Sequence, residues 1–156
     1  MPIDIAAAQQ AGRPRAAGPL GAAEACREVI AAYFHLSDSG DLEAQAAVFS
    51  RDIELGHGEA GTKGKAAVTE FLRSRRKPGS GRRTVHLLGS VQITHLAERE
   101  AKSFTLFGFY DNLVGDQQLA GGMRFLGLYE SHDTYTLEDG VWKLSQHHAM
   151  PLGTAP

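Results

Sequence analysis

A single cysteine, Cys26, stands among 156 residues. One thiol cannot build an internal disulfide framework, and Cys26 lies on the apolar stripe of a predicted helix, where it reads as core packing. Excess charge is also missing. A formal net charge of -2 gives no electrostatic case for nucleic acid or an anionic membrane as partner. No apolar run approaches the roughly 18 residues needed to span a bilayer. The N-terminus has no basic stretch followed by a hydrophobic one, so the expected location is cytoplasmic. There is no Gly-rich phosphate loop and no G-x-S-x-G nucleophile motif. The seven histidines are scattered, without a His-x-x-x-His pair or a cysteine partner, so no metal is expected.

What remains is an ordinary globular composition, 42% hydrophobic and 22% charged, in a length that suits one domain with a real core. Residues 1–18, rich in Ala, Gln, Gly and Pro, read as a flexible tail. The domain then spans 19–150, and 151–156 form a C-terminal tail. From Pro19 to Ser37 the pattern is helical: Cys26, Val29, Ile30, Tyr33, Phe34 and Ser37 recur at three- and four-residue steps. Ser39-Gly40 breaks that helix, and Asp41 is placed to cap a second one running through Leu42, Ala46, Ala47, Val48 and Phe49. A short strand, Ile53 to Leu55, follows. A third helix spans about Lys65 to Arg75, with Ala67, Val68, Phe71 and Leu72 on its buried face.

The basic cluster from Arg73 to Arg83 is interrupted by Pro78, Gly79 and Gly81 and reads as a solvated loop. Beyond it the period switches to two. Arg83 to Thr94 alternates, with Val85, Leu87, Val91 and Ile93 on one face and His86, Leu88, Ser90 and Gln92 on the other. Glu98 to Tyr110, Gly122 to Thr136 and Val141 to Met150 are further strands. Asp111-Asn112 and Gly115-Asp116 mark a turn region, and Asp139-Gly140 is a hairpin signal. Helices followed by an antiparallel meander define an α+β fold.

Several motifs carry a family resemblance across about Ala22 to Met150. They are Ser39-Gly40-Asp41-Leu42, Val48-Phe49-Ser50-Arg51-Asp52, Gly64-Lys65-Ala66-Ala67, Thr84-Val85-His86-Leu87 and Asp139-Gly140-Val141-Trp142-Lys143. In these the chain resembles the SnoaL-like branch of the nuclear transport factor 2-like superfamily, which includes polyketide cyclases, scytalone dehydratase and bile-acid dehydratases. The resemblance implies a cone-shaped α+β barrel, with helices packed on a curved antiparallel sheet around a closed apolar pocket. It implies a small hydrophobic substrate, no cofactor and a homo-oligomer, trimer or dimer. By position it implies Asp38 and His86 as a catalytic pair, with Tyr33 assisting.

Those residue types suit a dehydration. Imidazole titrates near neutral pH and can take a proton α to a carbonyl. A carboxylate on its other nitrogen fixes the tautomer and stabilises the imidazolium. A tyrosine can donate to the carbonyl or leaving oxygen. Each residue also has a plainer reading: Asp38 as a helix cap in competition with Asp41, His86 as a satisfied strand histidine, Tyr33 as a core aromatic. Phe34, Phe107, Phe125, Tyr129 and His147 are candidate substrate contacts. Phe104, Phe109 and Met123 are further candidate walls, the choice among them depending on strand register. His147 and His148 point opposite ways, so at most one faces the pocket, and Asp133 reads as structural. The expected activity is therefore a cofactor-independent dehydratase acting on a cyclic or polyketide-like substrate. A cyclase of the same fold and a non-catalytic ligand-binding module are the alternatives, because fold alone does not settle function.

Overall fold

The computed structural model describes residues 10–14, 18–57, 60–76, 79–114, 117–120 and 122–154. Helix α1, Gly18–Ser39, buries Ala25, Cys26, Val29, Ile30, Tyr33, Phe34 and Leu36 along one stripe. Gly40, at φ +81, ends it in the left-handed region that glycine adopts without strain. Helix α2, Leu42–Ala47, is capped by Asp41, whose Oδ1 accepts from the Ala44 N–H at 3.0 Å. It stops earlier than its sequence pattern suggests, because Phe49 already opens strand β1, Phe49–His57. That strand is three times the length of the expected Ile53–Leu55 segment. It pairs with β2, Ala60–Lys63, an element the alternation did not reveal. Helix α3 is Lys65–Arg75.

Four long strands follow: β3, Thr84–Leu96; β4, Glu100–Asp111; β7, Arg124–Glu138; and β8, Val141–Thr154. A small hairpin of β5, Leu113–Val114, and β6, Gln117–Gln118, lies between β4 and β7. Its tip, Gly115-Asp116, lies outside the described residues, as do Gly58 and Pro78. Asp139 and Gly140, at φ +51 and +77, join β7 to β8 by the two-residue turn their sequence calls for. The sheet runs in the order β2-β1-β8-β7-β4-β3, and the helices pack against its curved face. The meander from β3 to β8 is antiparallel as expected, but β1 joins β8 in parallel, so the sheet is mixed and stays open at both edges. Among the described residues no helix is long and apolar enough to cross a membrane.

Both ends of the domain extend further than composition suggested. Residues 1–9 and 15–17 lie outside the described residues, but Ala11 is buried in the core and the Gly12 carbonyl accepts from the Trp142 N–H at 2.7 Å. At the other end Pro151 to Thr154 belong to β8 instead of a tail. Gly12 has φ +84, and a Cβ there would stand 2.0 Å from the Trp142 carbonyl oxygen. Gly12→Ala is therefore expected to cost about 2–4 kcal/mol, from left-handed strain plus overlap. A lowered urea midpoint followed by the emission of the sole tryptophan, Trp142, checks it.

Candidate active site

Asp38 lies in the last turn of α1, on the side facing the start of β3. Capping of α2 is done by Asp41, which leaves the Asp38 carboxylate for the strand. Its Oδ2 accepts the His86 backbone N–H at 2.7 Å, and its Oδ1 accepts the Thr84 hydroxyl at 3.0 Å. The same Oδ1 lies 2.6 Å from His86 Nδ1. A carboxylate can only accept, so the ring proton on that edge sits on Nδ1 and the Nε2 lone pair is left for other work. The imidazole is held on its faces as well. Phe109 stacks on it at 4.7 Å, and Phe34 and Phe107 flank it at 5.1 and 5.7 Å.

His86 faces inward for a reason strict alternation misses. Val85 and Leu87, which alternation places on one face with Val91 and Ile93, are 41% and 61% exposed. The β3–β4 register shifts between Leu88 and Val91, so a bulge at Gly89-Ser90 returns Val91 and Ile93 to the core side while His86 and Leu88 share it upstream.

The pair opens onto a cavity of about 620 Å³ between α1, α3 and the sheet. Tyr33, Phe34, Phe107, Tyr129 and His147 all line it, together with Phe109. Phe125 does not. A second register shift, between Phe109 and Tyr110, turns it onto the outer face of the sheet, where it packs on Tyr110 at 5.1 Å. Phe104, against His132, and Met123 are also outside the lining.

Sequence reasoning did not bring Asp133 and His147 together. They are direct cross-strand partners, with His147 Nδ1 2.6 Å from Asp133 Oδ1. Asp133 Oδ2 accepts from the hydroxyls of Ser103, Thr105 and Ser131 at 3.3, 2.9 and 2.9 Å. The Asp133 side chain is fully buried, so this carboxylate anchors a polar knot inside the sheet's inner face. His147 emerges from the knot to pack against Tyr33 at 4.7 Å and Phe34 at 5.7 Å. The only sequence signal for the knot is four polar residues, at 103, 105, 131 and 133, spaced by two on adjacent strands.

Burial raises the Tyr33 phenol well above its ordinary range, and the Asp133 charge adds to it, against a small opposite effect from Arg76. The phenol therefore stays protonated beside the cavity that Tyr33 lines. Burial and then Asp133 raise Tyr135 likewise, and burial pushes the Cys26 thiol up to about 12. Groups kept protonated by the fold ionise first in the unfolded chain. Their contribution is complete below the unfolded pKa and is lost as pH rises through the folded one. Stability is expected to fall by about 1.4 kcal/mol per pH unit for each such group, from about pH 9 upward for Cys26 and from about pH 10 upward for Tyr33 and Tyr135. Urea midpoints at pH 8 and at about pH 10.5 test this.

The basic segment is not wholly a solvated loop, for Arg75, Arg76, Arg82 and Arg83 line the cavity. Arg82 is spent on structure: its Nε and Nη2 donate to Asp111 Oδ2 at 2.9 and 2.8 Å, and its Nη1 donates to the Arg75 carbonyl at 2.7 Å. Among the described residues no group of three or more His, Cys, Asp or Glu could hold a metal ion.

Helices laid across a curved, open mixed sheet, with a cavity between them, define the nuclear transport factor 2-like α+β fold. Within it the chain belongs to the SnoaL-like domain family, whose model matches residues 19–148. Solved structures agree on the fold. A hexachlorocyclohexane dehydrochlorinase, LinA-type3 from Novosphingobium barchaimii, is 17% identical over 88% of this chain and 90% of its own, with a TM-score of 0.73. A proposed scytalone dehydratase from Novosphingobium aromaticivorans is 20% identical over 85% of each chain, TM-score 0.70. ActVI-ORFA from Streptomyces coelicolor is 15% identical over 81% of this chain and 94% of its own, TM-score 0.68. No curated protein matches the chain.

Proposed function

We propose that this protein is a cofactor-independent lyase, a dehydratase of hydrophobic cyclic or polyketide-like β-hydroxy carbonyl compounds. The observation that carries the reading is the 2.6 Å contact that commits His86 Nδ1 to Asp38 at the wall of an aromatic cavity. Nε2 takes the proton α to the substrate carbonyl, and the C–H electrons pass into an enolate. The Tyr33 hydroxyl donates to the enolate oxygen, while Asp38 stabilises the imidazolium. As the carbonyl reforms, the double bond closes toward the β-carbon. The hydroxyl then departs with the proton held by His86, giving water and an α,β-unsaturated product. Phe34, Phe107 and Tyr129 keep bulk water from the enolate. Two of the similar structures bear the names of eliminations, which supports the reaction type.

The test is incubation with a panel of cyclic β-hydroxy ketones, followed by mass. Loss of one water supports the lyase. A product of unchanged mass means that the enolate closed a ring and makes the protein a cyclase. Tight binding without any product makes it a ligand-binding module.

The homo-oligomer implied by the family has a surface to form on. Val85, Leu87, Phe125 and Leu128 are exposed together on the outer sheet face, around Gly108. An apolar patch can meet its own copy without charge repulsion between these four side chains. Leu87→Glu is expected to shift the chain to monomer in light scattering; a wild-type chain that is monomeric at every concentration overturns the oligomer.

A further inference from the structure

Of the charged side chains lining the cavity, four are arginines and only Asp38 is an acid, and that acid is committed to His86 and Thr84. Basic residues at a helix C-terminus ordinarily serve the dipole from solvent. Arg73, paired with Glu70 on the exposed face of α3, fits that description. Arg76 does not. Its Nη2 donates to the Oε1 of the fully buried Gln45 at 2.7 Å, while its Nη1, also buried, has no hydrogen-bond partner among the described residues. A guanidinium N–H stripped of water and left without an acceptor is costly to keep, and burial accordingly lowers the Arg76 pKa. Among the described residues no carboxylate pairs with this charge in a salt bridge; Asp41 acts on it through space. The neighbouring Arg83 side chain makes no hydrogen bond among the described residues, and Arg75 lies over the Phe71 ring at 5.8 Å. Gly40 borders this nitrogen, and a Cβ there would stand 3.6 Å from Arg76 Nη1.

We infer that Arg76, with Arg75 and Arg83 beside it, forms a subsite for one anionic oxygen group on the substrate, a carboxylate or a phosphate monoester. Resting on the dehydratase reading, this defines the substrate further as an apolar ring body with an acid at one end. The acid docks on the Arg76 fork, and the ring lies along Phe34, Phe107 and Tyr129 toward His86. Fixing one end on a charged pair of donors sets which carbon meets Nε2.

The experiment is calorimetric binding of 1-naphthoate, 1-naphthyl phosphate and methyl 1-naphthoate to the full chain at two salt concentrations. Either anion is expected to bind about tenfold or more tightly than the ester, as a charge-assisted hydrogen bond implies, and to lose that margin in high salt. The tighter anion names the group. Arg76→Met should remove the preference, and Arg83→Gln should reduce it without disturbing the Gln45 contact. An ester that binds as well as both anions, or anion binding unchanged in both variants, overturns the subsite. The wild-type comparison stands even if Arg76→Met fails to fold. The same preference in His86→Gln, with no turnover by wild type, would keep the subsite and discard the dehydratase.

Discussion

Asp38→Asn and His86→Gln are each expected to lower kcat about a hundred- to ten-thousandfold while leaving the thermal midpoint nearly unchanged. Asparagine keeps the shape of the aspartate and retains an oxygen for the His86 backbone N–H or the Thr84 hydroxyl, so the end of α1 stays tied to β3. It loses the charge that stabilises an imidazolium, and its amide can hold the ring in the wrong tautomer. Glutamine at 86 fills part of the space between Phe34 and Phe109 but has no nitrogen able to accept the proton. Rates of water loss by mass, set beside thermal melts of the same preparations, separate chemistry from folding. Either variant turning over at the wild-type rate removes the pair from the mechanism.

The second Asp–His pair is expected to behave in the opposite way. Asp133→Ala should cost about 3–5 kcal/mol of stability, because it strips a buried histidine and three buried hydroxyls of their shared acceptor. Asp133 also touches strands β4, β7 and β8 through those partners, so the loss falls on the centre of the sheet. Urea unfolding measures it. A variant that keeps its stability to within about 1 kcal/mol but loses its rate would move Asp133 and His147 from the frame of the site into its chemistry. The contrast is informative because both contacts are 2.6 Å long. Distance does not distinguish them; the company each aspartate keeps does. Asp38 faces the cavity with one ring and two local donors, whereas Asp133 is enclosed by hydroxyls from two strands.

Much of this site was legible in the chain. The α1 stripe placed Tyr33 and Phe34 inward, and the spacing of Asp41 behind Gly40 made it the better cap, which freed Asp38. The link from Asp38 to His86, however, came from family resemblance, since 48 residues separate them and no local pattern connects them. The arginines were misread for a related reason. A run broken by Pro and Gly looks like a solvated loop, but Arg82 pairing with Asp111, and Asn112 bonding Arg83 and Gly81, tie that segment back beside the cavity. Phe125 and Phe109 are equally aromatic and both lie at the cavity end of their strands, yet one faces the cavity and the other the outside.

The local chemistry determined by the amino acids themselves comprises the helical stripe, its break at Gly40, the two-residue turn at Asp139-Gly140 and the strands of alternating character. Tertiary structure alone decided which side of each strand is the inside. Side chains alternate with a period of two, so a single extra residue exchanges the faces. Counting back from the β7–β8 turn without a bulge sets His147 opposite His132. The register shift between Thr134 and Tyr135 sets it opposite Asp133 instead. Such shifts cost little locally and are chosen by how the whole sheet packs against α1, which is why no window of sequence contains them.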